Sequence, residues 1–99
     1  MRKRAKKDLN QDEVVSVFRH LGFSVAVTSA LGNGFPDIVI AKLGHSYLVE
    51  IKNGKLCPSA RVLTEDEKKF HAEWKAEIFI VESAEQAINL AVLLSKGET

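Results

Sequence analysis

Two apolar runs joined by a tight connection constrain this chain more than any other feature. Asp37 to Ala41 and Ser46 to Lys52 read as strands, and Lys42-Leu43-Gly44-His45 between them reads as the turn of a hairpin. Ile38, Val39 and Ile40 in the first run, and Leu48, Val49 and Ile51 in the second, make both strands apolar on both faces. Such strands belong in the covered centre of a sheet. A turn centred between Leu43 and Gly44 pairs Lys42 with His45, Ile40 with Tyr47 and Asp37 with Glu50. Directly paired side chains share a face and alternate with period two, so Asp37, Glu50 and Lys52 cluster on one face while Ile51 points to the other. A one-residue shift in the turn would break that cluster.

The flanking sequence supplies the covering layers. Val14, Val17, Phe18 and Leu21 recur with helical spacing, which predicts a helix from about Asp8 to Leu21, capped by Asp8 or Asn10 and stopped by Gly22. Glu13 lies beside Val17 at the edge of that apolar stripe. Phe23 to Thr28 reads as a strand, Ser29 to Pro36 as a glycine-containing loop and Asn53 to Leu63 as a longer loop. Thr64 followed by Glu67 has the spacing of a capping box and opens a helix whose apolar face continues through Phe70 and Trp74. Ile78 to Val81 suits a buried strand. Ser83 with Gln86 repeats the capping pattern and starts a final helix with Ala87, Leu90, Ala91 and Leu94 facing inward. The order αβββαβα predicts an α/β fold, a mixed sheet flanked by helices, with one parallel strand pair from the strand-helix-strand unit.

Size and composition agree with a single domain over residues 8–99. The 99 residues are 45% hydrophobic and 27% charged, enough for one core and too few for two. No stretch approaches the roughly 18 apolar residues of a membrane span, and no apolar segment follows the N-terminal charges, so a cytoplasmic protein without membrane partners is expected. Cys57 is the only cysteine, which excludes an internal disulfide and cysteine-rich zinc sites. The net charge of +1 is an average of opposites. Arg2, Lys3, Arg4, Lys6 and Lys7 form a basic arm over residues 1–7, whereas the rest of the chain carries nine cations against thirteen acids. A basic arm binds nucleic acid through phosphates or serves as a solubilising terminus.

Two carboxylates directly opposed in a sheet repel each other. Lys52 offsets part of that, and a divalent cation would offset more, since Mg²⁺ takes one or two carboxylates plus waters and eases deprotonation of water. Lys52 is then available to orient or deprotonate the attacking water, or to steady charge on phosphoryl oxygens. Acid, acid and base on one face beside a basic arm point to phosphodiester hydrolysis. The alternative is structural: Asp37 capping a turn after Pro36, with Glu50 and Lys52 as surface charges.

Gly34-Phe35-Pro36-Asp37, then Glu50-Ile51-Lys52 thirteen residues on, preceded by a helix carrying Glu13, resembles the PD-(D/E)XK nuclease superfamily. More narrowly, it resembles the small stand-alone VRR-NUC-type nucleases of phages and prophages, over roughly Asp8 to Leu94. The resemblance implies a restriction-endonuclease-like core and a Mg²⁺- or Mn²⁺-dependent DNA endonuclease, selective for branched or flapped structures. It implies Asp37 and Glu50 as metal ligands with the main-chain carbonyl of Ile51, Lys52 as the catalytic lysine, and Glu13 reaching the metal directly or through water. Pro58-Ser59-Ala60-Arg61 resembles a loop near the site in small phage-type members, and a guanidinium there suits phosphate contact. Many relatives place glutamine early in the second helix, where this chain has Glu67, and the capping box alone accounts for that residue.

Among the remaining features, Gly32-Asn33-Gly34 reads as a turn supporting Pro36-Asp37. His20, His45 and His71 share no metal-ligand spacing, and His71, next to Phe70, is the one that merits a test. Lys68 and Lys69 read as a solvated helix face. A nuclease this short presents one site and a small footprint, so a homodimer is the economical way to cut two strands. The competing class is a non-catalytic nucleic-acid-binding or assembly protein that keeps the nuclease fold.

Overall fold

In the computed structural model, which describes residues 10–96, the hairpin turn places Leu43 and Gly44 at φ 57° and 83°. Positive φ at both central residues gives a connection whose twist matches antiparallel strands, and it fixes the register. Lys42 pairs with His45, Ile40 with Tyr47 and Ile38 with Val49, as the sequence implies. Continuing that register sets Asp37 opposite Glu50.

The elements follow the expected order: α1 (Gln11–His20), β1 (Ser24–Val27), β2 (Ile38–Lys42), β3 (His45–Ile51), α2 (Glu65–Glu73), β4 (Ile78–Val81) and α3 (Ala84–Ser95). Short 3-10 turns at Ser29–Leu31 and Pro58–Ala60 interrupt the two longer loops. The four strands form a mixed sheet in the order β1-β2-β3-β4, antiparallel except for β3 with β4. The hairpin strands are therefore central. None of the described helices is long and apolar enough to cross a membrane.

One face of the sheet carries Ile38, Ile40, Val49, Ile51 and Val81, all at most 1% exposed, against α1 and α3. Burial of these branched side chains stabilises the fold by about 1.5–3 kcal/mol for each fully buried residue. The buried stripe of α1 is Gln11, Val14, Val15 and Phe18. It is rotated from the expected one: Val17 is half-buried and Leu21 exposed, while Phe18 and Phe23 meet edge-to-face in the core. Ala87 and Ala91 let α3 approach closely, with Leu90 and Leu94 packed at the margin.

α1 starts at Gln11, and Asn10 at its cap position makes no side-chain cap bond. The Asn10 amide instead donates to the carbonyls of Lys52 and Glu82, both at 3.2 Å, tying the helix start to the ends of β3 and β4. Asp8, the other expected cap, and the arm residues Arg2, Lys3, Arg4, Lys6 and Lys7 lie outside the described residues. Thr64 and Glu67 form the expected capping box at α2, and the Ser83 side chain accepts from the Gln86 amide at α3.

On the opposite side of the sheet, α2 is held to the β1–β2 loop by an aromatic series. Phe70 meets Phe35 edge-to-face at 5.2 Å and stacks on Trp74 at 5.3 Å. Gly34, at φ +82°, lies so close to the first turn of α2 that a Cβ there would collide with the Asp66 carbonyl. Only glycine permits both the backbone conformation and the approach. That contact brings α2 over the end of the central strands.

Candidate active site

The site forms where β2 begins and β3 ends. The Thr28 amide donates to the Asp37 carbonyl at 2.8 Å, and the Thr28 hydroxyl donates to the Pro36 carbonyl at 2.8 Å. These bonds close the neck of the β1–β2 loop and fix the start of β2. Asp37 Oδ2 then accepts the Ile51 amide at 2.7 Å, across the end of the ladder. Successive residues of a strand direct their backbone groups to opposite edges. Since the Lys52 amide donates to Val81 on β4, the Ile51 carbonyl lies on the Asp37 edge.

Glu50 is 1% exposed, and Asp37 is within hydrogen-bonding reach of it. Burial, then the Asp37 hydrogen bond and charge, push the Glu50 carboxyl up to about 10. Burial also raises Asp37, against the lowering effects of its bonds to Glu50 and the Ile51 amide. A buried Glu50 beside a half-buried Asp37 disfavours ionisation of both at once. Glu50 Oε1 is buried and accepts no hydrogen bond.

Lys52 lies beside the pair, 9% exposed, with Nζ 2.8 Å from Glu67 Oε1. Burial works to raise Glu67, but its bonds to Lys52 and to the Thr64 amide outweigh it and hold the carboxyl below its ordinary value. One turn further along α2, His71 Nε2 is buried without a hydrogen-bond partner, 3.6 Å from Glu50 Oε1. Burial lowers the His71 pKa, favouring the neutral imidazole. A cavity of ≈ 400 Å³ is lined by Asp37, Glu50, Lys52 and Glu67, with Ser29 and Gly34 on the loop side.

The structure thus brings Asp37, Glu50, Lys52 and the Ile51 carbonyl together. Glu13 is exposed and lines a different cavity, with Asn10, Asn53 and Glu82. Arg61 donates to Glu82 Oε1 at 3.0 Å and ties its loop to the end of β4. Sequence reasoning missed Gln11, which is 1% exposed and donates from Nε2 to Ser29 Oγ at 3.3 Å. The signal was present: Gln11, Val14, Val15 and Phe18 are spaced i, i+3, i+4 and i+7, so the glutamine lies in phase with the buried stripe. Glu67 and His71 were visible only as a cap and a lone histidine.

The donor set fits a divalent cation. The buried Glu50, with an unsatisfied Oε1, and the half-buried Asp37 opposite it gain from a positive ion, and Mg²⁺ needs only one or two carboxylates, its remaining ligands being waters. Among the described residues, no group of three or more His, Cys, Asp or Glu side chains is placed to hold a metal ion. No family model, curated protein or solved structure matches the chain.

Proposed function

We propose that the chain is a Mg²⁺- or Mn²⁺-dependent endonuclease that hydrolyses DNA phosphodiester bonds, built on a restriction-endonuclease-like core of the PD-(D/E)XK type and closest in pattern to the VRR-NUC-type enzymes. The observation that carries this reading is the buried Glu50 opposite a half-buried Asp37, with Lys52 on the same face of the two central strands. A buried acid held against a second carboxyl costs the fold stability, and sites with such perturbed groups are often functional.

Asp37 and Glu50 would hold the cation, with the Ile51 carbonyl on the same edge. When bound, the ion would polarise a phosphoryl oxygen and lower the pKa of water. Lys52, held as an ammonium by Glu67, orients the attacking water and steadies the charge that develops on the phosphoryl oxygens. Asp37, braced by the Ile51 amide, keeps the carboxyl pair in register while phosphate enters. The basic arm supplies phosphate contacts to the DNA, and a homodimer would present two such sites to a junction or a flap.

The test is direct. Purified protein with Mg²⁺ or Mn²⁺ should cleave one of linear, nicked, flapped or four-way junction DNA, and Lys52→Ala should abolish cleavage while the far-ultraviolet circular dichroism stays that of the parent. All four substrates left intact, with no calorimetric Mg²⁺ or Mn²⁺ binding that Asp37→Asn removes, would return the chain to a non-catalytic nucleic-acid-binding or assembly role.

A further inference from the structure

Gln11 is a buried polar side chain that the reading above leaves without a task. It is 1% exposed, its Nε2 donates to Ser29 Oγ at 3.3 Å, and its Oε1 is buried without a hydrogen-bond partner. An orphaned buried acceptor costs stability, and an apolar side chain of similar length would fill the position without that cost. Gln11 lies on the stripe of Val14, Val15 and Phe18 that packs into the core, so the amide does not serve solubility. What a glutamine adds there is one bond, and that bond holds the Ser29 hydroxyl.

Ser29 is half-buried and lines the same cavity as Asp37, Glu50 and Lys52. Its place is set by its neighbour in the chain, because Thr28 is bonded through its amide to the Asp37 carbonyl and through its hydroxyl to the Pro36 carbonyl. A serine hydroxyl has two lone pairs and one proton to donate. One lone pair takes the Gln11 amide, and among the described residues no hydrogen bond takes up the proton. The hydroxyl is therefore held as an acceptor on the helix side and keeps its donor capacity for what enters the cavity.

We infer that the Ser29 hydroxyl donates a hydrogen bond to a non-bridging oxygen of the phosphodiester in this cavity, and that Gln11 is the positioning residue that holds the hydroxyl for it. This rests on the nuclease reading, which brings the phosphodiester and the cation that lets it approach Asp37 and Glu50. A hydrogen bond to a charged oxygen is stronger than one between neutral groups, and a donor fixed in advance needs no rearrangement as charge develops. Lys52 supplies charge from the end of β3, and Ser29 supplies a neutral donor from the β1–β2 loop.

The experiment uses the full chain and whichever of the linear, nicked, flapped or junction DNAs the wild-type protein cleaves, with kcat measured alongside urea denaturation. Ser29→Ala should lower kcat about ten- to hundredfold, the scale of one hydrogen bond to a charged group, and Ser29→Thr, which keeps the hydroxyl, should restore most of it. A sulfur in place of one non-bridging oxygen at the scissile phosphate should slow the wild-type protein for one of the two diastereomers and slow Ser29→Ala no further. Gln11→Met should lower kcat as Ser29→Ala does, add little to it in the double variant, and be at least as stable as the parent. Ser29→Ala that cleaves at the wild-type rate, or sulfur effects that add to it for both diastereomers, overturns the phosphate contact and leaves the nuclease reading standing. Gln11→Met that is destabilised or fails to fold, or whose loss of kcat adds fully to that of Ser29→Ala, makes Gln11 a core residue and overturns its positioning role. Wild-type protein that cleaves none of the four DNAs removes the nuclease reading and this one together.

Discussion

Glu67 Oε1 accepts two hydrogen bonds at once, from Lys52 Nζ at 2.8 Å and from the Thr64 amide at 2.9 Å. One oxygen therefore closes the capping box of α2 and holds the lysine of the candidate site. Glutamine can close the same box and offers a neutral acceptor to the lysine. Glu67→Gln should stay within about 1 kcal/mol of the parent in urea denaturation, whereas Glu67→Ala should lose about 1–3 kcal/mol from the cap and the buried ion pair together. DNA cleavage should follow the same ranking. Equal stability in the two variants would show that the shared oxygen matters to neither role.

Glu50 is predicted to trade stability for metal binding. Its folded-state pKa of about 10 lies above the unfolded value of 4.5, so the native state keeps a proton that the unfolded chain releases. The stabilising contribution is complete below about 4.5 and fades as pH rises toward about 10. Glu50→Gln removes that loss. Without metal at pH 8, the variant should be more stable than the parent and should bind no Mg²⁺. The difference should shrink toward pH 5. Melting temperatures that run parallel from pH 5 to 9 would exclude a buried, proton-holding Glu50.

Gly34→Ala tests how α2 is brought to the site. The added Cβ meets the Asp66 carbonyl, and the φ of +82° disfavours any side chain. A loss of about 2–4 kcal/mol is expected from strain and displacement together. If the variant is still folded, it should cleave poorly, because moving the first turn of α2 moves Glu67. Full stability would mean that the loop and the helix separate easily.

Deleting residues 1–7 should flatten the plot of log K against log salt for DNA binding by about 4–5, at roughly 0.9 per phosphate contact for five cations. An unchanged slope would assign the arm to solubility.

The hairpin was legible in the sequence because Leu43-Gly44 suits a two-residue turn and the apolar runs fix its length; from these the Asp37–Glu50 opposition followed without reference to any other element. The capping box of α2 and the Ser83 cap of α3 were legible for the same reason, being local, although the Gln86 side chain accepts from the Glu82 amide and so leaves the second box open. Glu13 shows where locality ends. A helical stripe can be drawn through Val14, Val17, Phe18 and Leu21 or through Gln11, Val14, Val15 and Phe18, and the choice depends on how Phe18 meets Phe23. The convergence of Glu67 and His71 on Glu50 was further out of reach, since it needs α2 to be pressed against Gly34, sixteen residues before Glu50. Arg61 was placed by its loop in the sequence, but its partner Glu82 lies 21 positions away.

The side-chain amide of Asn10, bonded to the carbonyls of Lys52 and Glu82, has a mechanical consequence. It fastens the first residue before α1 to the backbone of the candidate lysine, so a shift of that helix is passed to Lys52 and is not absorbed in a loop.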